Sequence, residues 1–149
     1  MAYCTQADVE RKAGGAERLR YLADWDQDGN PDADVISDAI AEVSARINSY
    51  AGKKRKVAFA EPVPDIVRWT CAAEVVFVLK QARNAADGAD TDKAELELHQ
   101  ERVEWLKALA KGTVTLGVDP APTAATEHAH SEYSERSGEY SRDDFEGFA

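Results

Sequence analysis

The sequence is short of several things. It has two cysteines in 149 residues, Cys4 and Cys71, far apart, which excludes a disulfide framework and leaves room for one disulfide at most. A thiol pair of this kind fits a reducing compartment, where free cysteines are small buried hydrophobes. No apolar run approaches the roughly 20 residues that span a bilayer, and the opening MAYCTQADVERK has no apolar signal region. The expectation is a soluble, unprocessed chain with no membrane partner. Basic residues are also scarce: 18 Lys and Arg stand against 28 Asp and Glu, a net charge of −10. A surface that coats nucleic acid throughout needs the opposite balance. There is no G-x-S-x-G elbow, no P-loop, and no base beside either cysteine in the sequence, so nothing points to an enzyme.

What is present is a helical protein with a distinct tail. TQAD at Thr5–Asp8 is close to a capping box and starts a helix to about Lys12, which Gly14 and Gly15 end or bend. AERLRYLA then gives a short helical turn. From Ala33, the residues Ile36, Ile40, Val43, Ile47 and Tyr50 recur at steps of four and three, the mark of one helix face. The stretch KKRKVAFAEPVP is extended or looped, because Pro62 and Pro64 bias the residues before them away from helix. A helix from Pro64 or Asp65 to about Arg83 is apolar on most sides through CAAEVVFVLK, so it is expected at the centre. Thr91 and Asp92 cap a last helix, Lys93 to about Lys111, with Leu96, His99, Val103, Leu106 and Ala110 on one face and His99 hydrogen-bonded there. GTVTLGVD, with β-branched alternation, reads as a short strand.

The expected fold is therefore mainly α: a small four-helix bundle over residues 1–119, a short C-terminal β-strand, and a long extended C-terminal arm over 120–149. The arm holds half of the chain's excess negative charge and has no apolar period that builds a core. His128 and His130 lie within it, where two histidines among acids seldom hold a metal. Its aromatics, Tyr133, Tyr140, Phe145 and Phe148, are widely spaced, as anchors are on an extended segment that binds a partner or a neighbouring subunit.

Two charged stretches carry candidate chemistry. Five of the eleven residues in DWDQDGNPDAD, Asp24 to Asp34, are aspartate. The first half matches a calcium loop: Asp24, Asp26 and Asp28 at positions one, three and five, Gly29 at six, the Asn30 carbonyl at seven and Asp32 at nine. Position twelve, normally a bidentate Glu, is Val35. A weak or structural calcium site and an aspartate-rich turn that starts the next helix are both open from these residues. The run Lys53, Lys54, Arg55 and Lys56 is a positive island on a loop, suited to touching DNA phosphates without reading bases. Trp25, Trp69 and Trp105 are read as core or subunit-contact residues.

The order of these pieces resembles a known family. Tyr3, Thr5, Asp8 and Val9, then Asp24, Asp26, Asp28, Gly29 and Asp32, then Ala39, Ile40, Ile47 and Tyr50, then Val63 and Pro64 fall where the neck proteins of Mu-like prophages and many siphophages carry their pattern. The resemblance covers about residues 1–119. It implies a structural protein of the virion neck, made in the host cytoplasm: a head-tail connector, or adaptor, in a homo-oligomeric ring, commonly of twelve copies, below the portal. Such a ring extends the DNA channel and docks the next neck or tail-terminator protein. The resemblance implies no cofactor; calcium enters only through the aspartate loop. The alternative from another class is a small calcium-dependent protein-binding module built on Asp24–Asp34.

Overall fold

A computed structural model describes residues 1–53, 59, 62–114 and 116. They form five helices: α1 (Gln6–Ala13), α2 (Ala16–Ala23), α3 (Ala33–Ala51), α4 (Asp65–Asp87) and α5 (Lys93–Lys111). The mainly α expectation stands, and the helix count is corrected from four to five. The stretch taken as a helical turn is a full helix because Leu19, Leu22 and Ala23 are buried against the rest. Among the described residues there is no strand. Where GTVTLGVD was expected to begin one, Gly112 and Thr113 instead bond back to the Ala108 and Leu109 carbonyls and close α5. Thr115 and residues 117–119 lie outside the described residues, as does the arm.

Local chemistry sets most of the boundaries. Thr5 and Asp8 make the reciprocal capping box, with Asp8 N–H donating to Thr5 Oγ1 at 3.3 Å and Thr5 N–H to Asp8 Oδ2 at 3.0 Å. Gly14 (φ +99°) and Gly15 (φ +117°) then turn the chain into α2, a corner in which two consecutive residues occupy the region glycine tolerates. Asp92 caps α5 by accepting from Ala94 N–H at 3.0 Å.

α4 is the hub and packs on all four other helices. Its Val67, Cys71, Ala72, Val75, Val76 and Leu79 meet Val9 of α1, Leu19 and Leu22 of α2, and Ile36, Ile40, Val43 and Ile47 of α3 in one core. Burying each Leu, Ile or Val contributes about 1.5–3 kcal/mol, so this cluster is the main stabilising term. On α5 the deepest side chains are Leu106 and Leu109. Leu96, expected on the buried face, is exposed, because the first half of α5 meets α4 through polar groups.

The residues before α1 belong to the core as well. Tyr3 and Cys4 are buried; Tyr3 N–H donates to Ser44 Oγ at 3.2 Å, and its hydroxyl bonds Asn48 Oδ1. Phe59, between α3 and α4, is pinned to the same tyrosine: its N–H donates to Tyr3 Oη at 3.3 Å and the rings tilt together 5.5 Å apart. Burial pushes the Tyr3 phenol up from its ordinary value.

Candidate functional site

The aspartate loop joins α2 to α3 at one end of the bundle. Its carboxylates fold the loop by accepting from its own amides: Asp24 Oδ2 from Gly29 N–H at 3.2 Å, Asp26 Oδ1 from Asp28 N–H at 3.0 Å, and Asp28 Oδ1 from Asn30 N–H at 2.7 Å. Gly29 supplies the sharp turn at φ +90°. Asp32 Oδ2 takes Trp25 N–H at 2.9 Å, and Asp32 N–H returns to the Ala23 carbonyl at 2.9 Å, so the ends of the loop are tied. Asp32 is the N-cap of α3, yet its side chain makes no cap bond to the helix. The expected aspartate-rich turn is there and leads into α3, although the Asp32 side chain does not cap that helix.

Three carboxylates converge. Asp24, Asp26 and Asp28 each offer an oxygen within 4.8 Å of the others. Asp26 and Asp28 are exposed, Asp24 is half-buried, and Asp24 Oδ1 is shielded without a hydrogen-bond donor. Hard oxygen donors at this spacing suit calcium, and the loop's Asn30 and Asp32 sit further along the same turn. Val35, at the position where such a loop normally has a bidentate Glu, is half-buried in the first turn of α3 and offers no ligand.

Beside the loop lies an aromatic–arginine surface that the sequence did not disclose. Arg83 of α4 donates to the Asp24 carbonyl at 3.3 Å, lies 3.3 Å from Asp87, and stacks 5.0 Å over Tyr21 and 5.8 Å over Trp25. Tyr21 and Trp25 are exposed, and the Tyr21 hydroxyl reaches Asp87 at 3.2 Å. Trp, Tyr and Arg together are the residues that dominate protein interfaces. A second cluster sits on α1 and α4, where Arg11, Lys12 and Arg68 lie within 5.1–5.4 Å of the half-buried Trp69 ring.

A buried charge was also hidden from the sequence. Glu74 of α4 is 1% exposed and faces α5, where Arg102 Nε donates to Oε1 and His99 Nδ1 lies 3.2 Å from the same oxygen. Arg46 of α3 approaches Oε2 at 3.8 Å. His99 stacks flat on Phe77 at 4.2 Å, so its expected hydrogen-bonded place on α5 is found. An acid inside CAAEVVFVLK could have signalled this, since an isolated charge in an apolar run needs a partner.

Of the basic run, Lys53 is described and exposed at the far end of α3, a helix of 19 residues, from the aspartate loop. Lys54, Arg55 and Lys56 lie outside the described residues, and so do Tyr133, Tyr140, Phe145 and Phe148. A groove of about 460 Å³ runs between residues 1–6 and α3, lined by Cys4, Thr5, Ile36, Ile40, Ala41 and Ala45 among others. No described helix is long and apolar enough to cross a membrane.

A family model described as Bacteriophage Mu, Gp36 matches residues 3–134. The chain belongs to that family. The match takes in all five helices and the aspartate loop, and runs on into the acidic tail. As a bacteriophage protein of the Mu Gp36 family, it has within the matched residues both the Tyr3–Asp8 segment and α3, whose Tyr3, Asp8, Ile36, Ile40, Val43 and Ile47 are buried. A comparison with curated proteins finds no match for this Mu Gp36 family member.

Proposed function

We propose that this Mu Gp36 family protein is a head-tail connector of the virion. Copies assemble in a ring, commonly of twelve, below the portal, extend the DNA channel and present the docking face for the next neck or tail-terminator protein. The observation that carries this reading is family membership over residues 3–134. In this reading the arm, with Tyr133, Tyr140, Phe145 and Phe148, grips the portal or the adjacent copy. Lys53, Lys54, Arg55 and Lys56 touch packaged DNA through phosphates, against a wall whose net negative charge keeps the duplex from sticking.

The decisive experiment is electron microscopy of lysates from a phage lacking the gene. Separate heads and tails, with emptied heads, support the connector; normally joined particles refute it. Neutral replacement of Lys53 to Lys56 is expected to reduce DNA retention in assembled heads, and unchanged retention removes the DNA contact.

The second reading, a calcium-dependent protein-binding module, draws on the convergence of Asp24, Asp26 and Asp28 and on the shielded Asp24 Oδ1. Calorimetry with calcium separates the two. Tight binding with a large gain in Tm places the module first, and weak or absent binding leaves the connector standing.

A further inference from the structure

The two cysteines of the chain, 67 residues apart, meet in the core: Cys4 Sγ lies 3.1 Å from Cys71 Sγ, and both side chains are buried. The connector reading makes no use of them. Cys4 lies on the segment before α1, and Cys71 on the hub helix α4. A short non-helical segment can shift to bring two sulfurs to bonding distance more easily than two helices can.

The surroundings prepare Cys71 to react. Ser44 Oγ is 3.7 Å from its sulfur. The Cys4 thiol donates to it; that bond, with Ser44 beside it, holds the Cys71 thiol below its ordinary value, while donating to Cys71 and burial push that of Cys4 up. Of the two sulfurs, Cys71 is therefore the one whose thiolate is favoured. Burial alone closes such a pair to reagents; Cys71 is 0% exposed, but Cys4 lines the groove between residues 1–6 and α3, so a shift of the Cys4 segment is the way in for a small oxidant.

We propose that Cys4 and Cys71 are an oxidisable pair that closes into an intramolecular disulfide, with hydrogen peroxide as the oxidant. The Cys71 thiolate attacks one peroxide oxygen and the O–O bond breaks, leaving Cys71 sulfenic acid and hydroxide. The hydroxide takes the Cys4 proton and becomes water. The Cys4 thiolate then attacks the Cys71 sulfur and expels a second hydroxide, forming the S–S bond. The two sulfurs together lose two electrons, and the peroxide gains them. The product ties the N-terminal segment to the hub helix across a long loop. On the connector reading, assembly in the reducing host uses the open pair and the released particle carries the closed one; the chemistry itself stands without that reading.

The test treats the native full-length protein with stoichiometric hydrogen peroxide and maps its peptides by mass. The expected product is a Cys4–Cys71 cross-linked peptide about 2 Da lighter than the two thiols. It runs as a monomer on a non-reducing gel, and its Tm is higher by at least about 5 °C until dithiothreitol is added. Mapping keeps this apart from oxidation of Met1, which is 64% exposed. A Cys4→Ser chain with unchanged circular dichroism is expected to stop at a dimedone-reactive Cys71. Sulfinic acid on either cysteine with no cross-link overturns the proposal. So do two thiols that stay intact in the native wild type under conditions that oxidise the unfolded chain.

Discussion

Arg102 of α5 donates its Nε hydrogen to the buried Oε1 of Glu74 on α4, and this pair joins the two helices where apolar contact is thin. Removing Arg102 takes away the donor to Oε1 and leaves the buried Glu74 side chain with His99 and Arg46 alone. Arg102→Leu is expected to destabilise by about 2–4 kcal/mol, while Glu74→Leu with Arg102→Leu restores part of the loss. Urea unfolding of both variants gives the comparison; equal losses contradict it.

Asp8 gives the fold a pH dependence. The Thr5 backbone N–H, then the Thr5 side chain, Arg68 and Arg11, hold its carboxyl below the ordinary value. A depressed folded value means stability present above the unfolded pKa, about 3.9, and lost as pH falls through the lower folded value. Asp8→Asn should flatten that acid limb and lower stability at neutral pH by about 1 kcal/mol through the lost capping box. Tm measured from pH 7 to pH 2 tests it.

Tyr3→Phe removes a hydroxyl that serves both Asn48 and the Phe59 N–H. The expected loss is about 1–2 kcal/mol, because the buried Phe59 amide is left unpaired. Denaturant melts of the variant settle it, and a change below the error of the fit counts against the anchor.

Arg83→Ala should loosen the aspartate loop from α4, since it deletes the donor to the Asp24 carbonyl and the cation over Tyr21 and Trp25. A loss of about 1–2 kcal/mol is expected, with faster amide exchange confined to the α2–α3 loop. Protection unchanged at Gly29 and Asn30 would falsify the clamp.

The helix faces were legible where apolar spacing decides them. Ile36, Ile40, Val43 and Ile47 announce α3, and Thr5 with Asp8 announces the start of α1. The short α2 was harder, because eight residues are marginal as a helix until Leu19 and Leu22 find α4. Leu96 misled because periodicity marks an apolar side without saying what faces it; here α4 offers Glu74 and Lys80 to the first turns of α5. The aspartate spacing did foretell three converging carboxylates. Nothing in the chain order placed Arg83 between Tyr21 and Trp25, since that contact joins residues about 60 positions apart.

The central place of α4 also bears on how the chain is made. Val9, Leu19, Leu22 and Ile47 all precede α4 in order of synthesis, and their cover is the α4 surface that includes Val67, Val75 and Leu79. A nascent chain therefore presents three uncovered amphipathic segments at the ribosome exit until residue 87 has emerged. Folding waits for one late helix and then engages the earlier ones together, so a message cut short before that point yields a product for proteases rather than a smaller working domain.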